Sequence, residues 1–260
     1  MFENICINEV NLRLKRIVIA EDNPTLIFLH DSLGCIELWR DFPIKLAYAT
    51  QCNVLLYDRQ GYGKSDPFSN ERKTSYLETE ADVLHQLITA CKIENAMLFG
   101  HSDGGSIALI AAAKYLAVIK AVITEGAHIF VEDITLNGIR KAVEAYRTTN
   151  FKERLTKYHC DKTEAVFWAW TNTWLSSGFR SWNIESVLPL IACPVLVIQG
   201  ADDEYGSLEQ VNSIINNLST TSERLIIPFA GHTTHKEAQE VVLKHSADFI
   251  HSIPLPRVIE

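Results

Sequence analysis

The sequence has no apolar run long enough to cross a membrane and no cluster of basic residues. A membrane-spanning helix needs about 20 consecutive, mostly apolar residues, and the apolar runs of this chain are far shorter. The formal net charge of the 260-residue chain is −8, which disfavours binding to nucleic acids or to anionic membrane surfaces. We therefore expect neither a nucleic-acid partner nor a membrane partner.

Paired cysteine motifs and an export signal are also absent. The six cysteines are scattered without a Cys-x-x-Cys pair, so they indicate neither a metal site nor a disulfide framework. The N-terminal segment alternates polar and apolar residues and lacks the continuous apolar stretch of a signal peptide. These absences predict a cytoplasmic protein whose cysteines are reduced thiols.

What the sequence does contain is an alternation of short apolar runs with helical patterns. The runs are rich in Val, Ile and Leu, as in parallel strands that are covered on both faces. The predicted strands are 25–30, 53–58, 96–100, 120–126, 194–200 and 224–231, and the predicted helices are 75–91, 102–117, 207–218 and 234–252. This alternation is typical of a doubly wound, mostly parallel α/β sheet. Residues 2–19 alternate more strictly and predict an antiparallel hairpin at the sheet edge.

Residues 131–190 break this alternation, because they contain helical patterns but no clear strand. They also hold four tryptophans, Trp168, Trp170, Trp174 and Trp182. The cluster fits either a small hydrophobic core or the inner face of a helical cap over a pocket, and both can hold at once. We predict an α/β core formed by residues 1–130 and 191–260, with a helical cap insertion at 131–190.

A serine lies between a predicted strand and a predicted helix in the segment FGHSDGGSIA, residues 99–108. Residues 100–104 fit the pattern G-x-S-x-G, which holds a serine on a strained strand-to-helix turn with its hydroxyl exposed. The glycines suit such a turn, because a side chain there would collide with the neighbouring strand or helix. Sites in open α/β sheets form beyond the carboxyl ends of the strands, so this position predicts that Ser102 is a nucleophile.

A serine nucleophile needs a base and an orienting acid. His232 directly follows the last predicted strand and is the predicted base, whereas His235, three residues on, is interpreted as a surface histidine. Asp202 and Asp203 follow the preceding strand. We favour Asp203 as the acid, with Glu125 as a weaker alternative. The resulting order of serine, aspartate and histidine is that of α/β-hydrolases and differs from the order in other serine hydrolases.

The developing oxyanion needs backbone N–H donors. One is expected from Asp103, the residue after the nucleophile, and the other from the loop at residues 30–34. A carboxylate is favoured in the first turn of a helix. The Asp103 carboxylate could repel anionic substrates or contact the cap, but we favour its interpretation as a solvated or capping residue without a catalytic role.

Together these segments resemble the α/β-hydrolase fold superfamily, and in particular its capped serine-hydrolase branch. The resemblance is carried by HDSLG at 30–34, DRQGYGKSD at 58–66, GHSDGG at 100–105, QGADDEYG at 199–206 and AGHTTH at 230–235. It extends over nearly the whole chain and is weakest in residues 131–190, where that family carries its variable cap. It implies an α/β-hydrolase fold, a catalytic triad of Ser102, Asp203 and His232, and no cofactor.

The resemblance also implies that Ser32 or Leu33 supplies the second oxyanion donor. Asp31 stands where the family usually has glycine, which restricts the backbone and leaves the choice between the two amides open. By the same resemblance, residues 57–66 form a structural turn after a central strand and belong to the scaffold. Epoxide hydrolases and haloalkane dehalogenases of this fold use an aspartate nucleophile, so Ser102 argues against both.

The leading functional hypothesis is a cofactor-independent serine hydrolase acting on a small, largely apolar carboxylic ester or lactone. We expect His30, Trp168, Trp174 and Arg180 to line the substrate pocket. One alternative is a C–C bond hydrolase of vinylogous diketone acids, in which Arg180 would bind the substrate carboxylate. Another is a non-catalytic small-molecule receptor that retains the triad. In each case the partner is a small molecule, and we expect a monomer or a homodimer.

Overall fold

Eight strands form one sheet in the computed structural model of the protein, which describes residues 1–254. The order across the sheet is β1-β2-β4-β3-β5-β6-β7-β8. The strands are β1 (Phe2–Ile7), β2 (Val10–Ile17), β3 (Thr25–Leu29), β4 (Asn53–Tyr57), β5 (Ala96–His101), β6 (Ile119–Glu125), β7 (Val195–Gly200) and β8 (Ser222–Ile227). β1 and β2 form an antiparallel hairpin and β2 runs antiparallel to β4, while all pairs from β4 to β8 are parallel. The predicted edge hairpin and the mostly parallel sheet are both confirmed.

The α-helices of residues 1–254 supply the layers that cover this sheet. They are α1 (Phe42–Thr50), α2 (Tyr76–Ala90), α3 (Asp103–Lys114), α4 (Asp133–Thr148), α5 (Phe151–His159), α6 (Thr163–Trp174), α7 (Leu208–Asn217), α8 (Thr234–Glu237) and α9 (Gln239–Ser252). Short 3-10 helices occupy Ile36–Trp39, Cys160–Lys162 and Glu185–Leu190. No helix in this part of the chain is both long and apolar enough to span a bilayer.

The hydrophobic core lies in two layers, one on each face of the sheet. Side chains alternate along a strand. In β3, Leu26 and Phe28 pack with residues of α1 and α9, whereas Ile27 and Leu29 pack with residues of α2, α3 and α7. All four are fully buried. Burial on both faces is the reason that the strand sequences are nearly continuous apolar runs.

Two predicted elements end differently in the structure. The predicted strand 224–231 is shorter, because β8 ends just before Pro228, which has no N–H to donate to a neighbouring strand. The predicted helix 234–252 is two helices, α8 and α9, separated at Ala238, whose φ of −135° and ψ of 45° are not helical. Residues 255–260 of the predicted core lie outside the described residues.

The segment between β6 and β7 forms α4, α5 and α6, and its two ends meet. The amide of Ile184 donates a hydrogen bond to the carbonyl of Ile129 at 2.8 Å. Phe130 and Asn183 form an isolated antiparallel bridge beside it. The chain therefore leaves the sheet and returns to it at nearly the same place.

Aromatic side chains give this helical segment its own apolar contacts. Tyr146 of α4 stacks on Phe167 of α6 with ring centroids 3.8 Å apart, and Trp174 packs edge-on against Phe179 at 4.9 Å. Trp170 and Trp174 are both buried. The segment is helical, as the sequence predicts, and its tryptophans contribute to an apolar cluster. Its division from the core as a separate cap remains a prediction.

Backbone contact forces a sharp turn between β5 and α3. A Cβ atom on Gly104 would lie 2.0 Å from the carbonyl oxygen of Leu29 in β3, and one on Gly100 would lie 2.2 Å from the carbonyl oxygen of Gly104. The chain turns at Ser102, whose φ of 54° and ψ of −120° are rarely adopted by residues other than glycine. A strained serine therefore lies at the carboxyl end of a central strand.

Substituting Gly104 by alanine is expected to destabilise the protein, because the added methyl group would meet backbone atoms of β3 that cannot move independently. We expect a loss of about 3 kcal/mol in the free energy of unfolding, at the upper end of typical overpacking costs. Gly178→Ala is the matched control, since its Cβ would approach Thr74 no closer than 3.7 Å. Urea denaturation of both variants measures the difference. Equal stability of the two variants would contradict the backbone contact.

Candidate active site

A cavity of about 360 Å³ lies at the carboxyl ends of the parallel strands, beside the turn at Ser102. Its wall combines Ser102 and His232 with apolar side chains of the helical segment, including Ile139, Phe151 and Trp170. A larger groove of about 620 Å³ lies at the opposite end of β3 and β4. In the part of the chain that the structure describes, none of the predicted site residues lines that groove. The smaller cavity is therefore the candidate site.

Ser102 lies on the wall of this cavity, where β5 gives way to α3. Its amide donates a hydrogen bond to the carbonyl of Glu125, at the end of β6, at 2.8 Å. Its own carbonyl accepts hydrogen bonds from the amides of Gly105 and Ser106, at 2.8 and 3.1 Å. These bonds fix the backbone on both sides of the residue, which leaves little freedom in where its side chain lies.

His232 and Asp203 form a hydrogen-bonded pair. Nδ1 of His232 lies 2.9 Å from each carboxylate oxygen of Asp203. The carboxylate is itself held, because the amides of Tyr205 and Gly206 donate to its Oδ1 at 2.8 and 3.2 Å. With the Nδ1 proton donated to Asp203, Nε2 is the ring nitrogen that remains available as a base.

Gly126 makes room for the imidazole. It directly follows β6 and has a φ of +57°. A Cβ atom at this position would lie 2.9 Å from both Nδ1 and Cε1 of His232. Glycine is therefore required here for two reasons, the backbone conformation and the close approach of the ring.

The two members of the pair shift each other's pKa in opposite directions. Burial disfavours the ionised form of Asp203, but the charge of His232 and its hydrogen bond hold the pKa of that carboxyl below its ordinary value of 3.8. Burial likewise disfavours the protonated form of His232, but the Asp203 carboxylate raises the pKa of the ring above its ordinary value of 6.5. The pair thus favours a proton on the imidazole and an ionised carboxylate.

The other acids and bases considered from the sequence have different partners. Asp202 is exposed. Glu125 is fully buried, and its Oε2 accepts a hydrogen bond from Nδ1 of His235 at 2.7 Å, so its partner is not His232. The interpretation of His235 as a surface residue is wrong, because its pairing with this carboxylate leaves it only 2% exposed.

The loop at residues 30–34 borders the cavity with three of its residues. The side chain of Asp31 folds back onto its own loop, and Oδ2 accepts a hydrogen bond from the amide of Leu33 at 3.3 Å. Short aspartate side chains often make such turns with the backbone two residues on. The Leu33 amide is thus engaged within the loop. Of the two predicted oxyanion donors, Ser32 is the one whose amide this carboxylate does not bind.

The same loop is anchored from two sides. Nη2 of Arg59, a fully buried residue, donates to the carbonyl oxygens of His30 and Asp31 at 3.2 and 2.8 Å. Nε2 of His159, at the end of α5, donates to the carbonyl oxygen of Leu33 at 3.0 Å. The position of the loop therefore depends on both the sheet and the helical segment.

The carboxylate of Asp103 is buried, which corrects the interpretation of a solvated residue. Its Oδ2 accepts a hydrogen bond from the hydroxyl of Tyr76 at 2.8 Å, and that hydroxyl accepts one from Nε1 of Trp174 at 2.9 Å. Nη1 of Arg59 lies 3.8 Å from the same carboxylate oxygen. The amide of Asp103 occupies the first position of α3, where helix N–H groups have no partner within the helix.

Two of the predicted pocket residues occupy different environments. Trp174 lines the cavity. His30 does not, because it is buried behind the loop: its Nε2 accepts a hydrogen bond from the amide of Arg59 at 3.1 Å, and its ring packs on Tyr62 with centroids 4.8 Å apart. His30 therefore supports the loop from behind.

Trp168 and Arg180 also lie away from the cavity. Trp168 is half-buried on another side of α6, where its Nε1 donates to Glu164 at 2.5 Å. Arg180 is exposed and its Nη2 lies 2.7 Å from Oδ1 of Asp133. In both cases a nearby surface carboxylate is the partner, and the side chain points to it rather than to the site.

His128 lines the cavity and is not among the predicted site residues. Its Nε2 donates to the carbonyl oxygen of Tyr205 at 3.0 Å, and its ring centroid lies 5.8 Å from that of His232. The signal was available, because His128 lies two residues beyond the predicted strand 120–126, much as His232 follows the predicted strand 224–231. Position shortly after a strand therefore indicated a cavity-lining residue better than membership of the aromatic cluster did.

The raised pKa of His232 can be measured by following its ring protons by NMR over a pH series. We expect a value above 6.5 in the wild type. In Asp203→Asn the pKa should fall below that value, because burial remains while the carboxylate is lost. His159 is the internal control, since burial lowers its pKa and neither Asp203 nor His232 is among the groups that shift it. A His232 pKa that is the same in both proteins would contradict the pairing.

Comparison with known proteins agrees with this architecture. A family model described as alpha/beta hydrolase fold matches residues 24–186, more than half of the chain. The human protein named Serine hydrolase BPHL is 27% identical over 257 residues, covering 95% of this chain and 85% of the relative. The 3-oxoadipate enol-lactonase 1 of Acinetobacter baylyi is 24% identical over 253 residues, covering 90% of this chain and 91% of the relative.

Solved structures show the same fold. MGS-M2, an alpha/beta hydrolase enzyme from a Medee basin deep-sea metagenome library, superposes with a TM-score of 0.80 at 17% identity, covering 99% of this chain and 100% of that chain. At this level of identity the likeness concerns the fold alone. The family match and the hydrolase relatives carry the assignment further: the chain belongs to the α/β-hydrolase fold family and is a hydrolase.

Proposed function

We propose that this protein is a cofactor-independent serine hydrolase that cleaves a small, largely apolar carboxylic ester or lactone. The observation that carries the proposal is the Asp203–His232 pair, 2.9 Å apart, at the same cavity as a serine on a strained turn. The three residues follow one another in the chain order of α/β-hydrolase triads. Ser102 is the nucleophile, His232 the base and Asp203 the acid.

The reaction follows from these roles. Nε2 of His232 takes the hydroxyl proton as Ser102 attacks the carbonyl carbon, and Asp203 stabilises the resulting imidazolium. The imidazolium then protonates the leaving alkoxide. A water molecule, deprotonated by the same nitrogen, hydrolyses the acyl-enzyme and regenerates the free serine.

The tetrahedral oxyanion is bound by the amides of Asp103 and Ser32. The first is supported by its place at the start of α3, with an N–H that has no partner within the helix. The second is supported by elimination, because the amide of Leu33 already donates to Asp31. Arg59 donates hydrogen bonds to the loop that contains Ser32 and lies near the Asp103 carboxylate. It therefore contacts both of the segments that supply the proposed oxyanion donors.

The helical segment at residues 131–190 acts as a cap that shapes the acyl side of the pocket. Trp170 and Trp174 are four residues apart on α6 and therefore share a helix face, and both line the cavity together with Ile139. These apolar side chains favour an apolar substrate. A relative named an enol-lactonase makes lactones a reasonable class to test alongside open-chain esters.

The C–C hydrolase alternative loses the arginine that was expected to bind its substrate, although the cavity wall holds another, Arg154. Its substrates are carboxylates and were expected to bind Arg180, which pairs with Asp133 outside the cavity. The cavity wall includes the acidic residues Asp31 and Glu204, together with the cation Arg154 of α5, which is exposed. With two carboxylates and one guanidinium on the wall, a neutral ester or lactone is favoured over a diketone acid.

Ser102→Ala tests the nucleophile directly. We expect a fluorophosphonate probe to label the wild type and not the variant, and kcat for p-nitrophenyl esters to fall on the order of 10⁶-fold. The small cavity predicts that short acyl chains are preferred to long ones. Ser246→Ala is the control, because Ser246 is a buried serine of α9 that lies outside the cavity lining. Its labelling should match that of the wild type.

Other outcomes identify the alternatives. Tight binding of small molecules without labelling or turnover would favour a receptor. Faster turnover of a coloured ring-fission diketone acid than of any ester would favour the C–C hydrolase. Undiminished ester hydrolysis by Ser102→Ala would rule out the proposed nucleophile.

Asp203→Asn tests the acid and predicts a change in pH dependence. The variant should lose about 10⁴-fold in kcat, as expected when the imidazole loses its orienting carboxylate. The base must be neutral to act, so kcat/KM falls as the pH drops through the pKa of His232, which Asp203 raises. The acid limb of the remaining activity should therefore move to lower pH. An acid limb at the wild-type position would contradict the assignment.

A further inference from the structure

Glu125, at the carboxyl end of β6, bonds to both segments that carry the proposed nucleophile and base. Its backbone carbonyl accepts a hydrogen bond from the amide of Ser102 at 2.8 Å. Its carboxylate accepts three more from the residues that follow His232. The hydroxyl of Thr234 and the amide of His235 donate to Oε1, and Nδ1 of His235 donates to Oε2, each at 2.7 Å. Glu125 is fully buried, so water does not compete for these bonds.

His101 forms a second connection between the same two segments. It immediately precedes Ser102 and lies opposite Glu125 in the pairing of β5 with β6. Its Nε2 donates to the backbone carbonyl of His232 at 2.9 Å. The base loop, residues 232–235, is therefore bound at its first residue by His101 and at its last two by Glu125.

We propose that Glu125 is a positioning residue whose carboxylate sets the distance between the hydroxyl of Ser102 and Nε2 of His232. This inference rests on the function proposed above. Asp203 orients the imidazole, but it does not connect the base loop to the turn that carries the nucleophile. A misplacement of about 1 Å at a reacting group can lower a rate by about 10²-fold, so the position of the loop has a direct effect on catalysis.

Stability alone does not require a carboxylate at this depth. A buried ion pair is often no more stabilising than well-packed apolar residues of similar volume. Burial disfavours the ionised form, yet the charges of His235 and His101 and the hydrogen bonds from the base loop hold the pKa of Glu125 far below its ordinary value. It is therefore an ionised acceptor at neutral pH. Its directed bonds hold the base loop in one position, which an apolar side chain could not do.

A metal ion is the competing explanation for this cluster. One ligand atom from each of His101, Glu125 and His235 can be chosen so that all three lie within 4.8 Å of one another. Nε2 of His101 already donates to a carbonyl, however, and Nδ1 of His235 donates to the carboxylate. Each ring therefore has only its other nitrogen for an ion. The hydrogen bonds account for the cluster, and a zinc titration separates the two explanations.

The test compares Glu125→Met, which removes all three acceptor contacts, with Glu125→Gln, which keeps one acceptor oxygen. The kcat for a neutral ester is divided by the fraction of sites that the fluorophosphonate labels at completion, so misfolded protein does not count. We expect Glu125→Met to lower kcat about 10²-fold with KM changed less than about twofold, and Glu125→Gln to recover most of the loss. Val122→Ala is the control for lost stability, because Val122 is a buried residue of the same strand, and it should keep the wild-type kcat.

Thr234→Val keeps the inference testable if Glu125→Met does not fold. It removes one donor to Oε1 and nearly preserves the shape of the side chain. We expect a smaller loss of kcat than for Glu125→Met. In the double variant of Glu125→Gln and Thr234→Val the two losses should not multiply, because both changes act through the same loop.

The possible results separate the inference from the function on which it rests. A wild type that neither reacts with the fluorophosphonate nor hydrolyses esters would overturn the proposed function itself. An active wild type, together with wild-type kcat per labelled site in Glu125→Met, would overturn only the role of Glu125. Zinc that raises the unfolding temperature of the wild type but not of Glu125→Gln would replace the positioning role with a metal site. No effect of zinc on either protein supports the positioning role.

Discussion

The backbone contact between β3 and α3 at Gly104 is the constraint on which the candidate site depends. The helix begins so close to the strand that a single methyl group does not fit between them. The chain must therefore turn within one residue, and that residue is Ser102, with its positive φ. The same turn places the amide of Asp103 at the start of α3. One steric constraint thus positions both the proposed nucleophile and a proposed oxyanion donor.

Buried charges connect the rest of the site to this turn. Arg59 bonds to the loop at residues 30–34 and lies near the carboxylate of Asp103, while Glu125 holds the loop of the proposed base. The helical segment takes part through His159 and Trp174. Burying such groups costs free energy, and their hydrogen bonds mainly fix the orientation of the segments that they join. They join elements that are far apart in the sequence into one arrangement.

Sequence patterns identified the parts of the site that follow from position in the sheet. The carboxyl ends of parallel strands meet at one edge, so Asp203 and His232, which lie in the loops after two neighbouring strands, could be paired from the sequence, and the structure places them in contact. The same reasoning did not extend to His235, because its partner, the Glu125 side chain, is buried behind the site. Which carboxylate pairs with which histidine depends on small differences in distance that position along the chain does not encode.

By itself, the sequence determined the doubly wound sheet, its edge hairpin and the turn at Ser102, because apolar periodicity and glycine spacing are local properties of the chain. Only the tertiary structure decided which side chains face the cavity. The rotation of α6 placed Trp170 and Trp174 on its wall and turned Trp168 away. Asp133, distant in sequence, paired with Arg180 at the surface. The partner of a charged or aromatic side chain is set by elements that meet only after folding, and no local pattern contains that information.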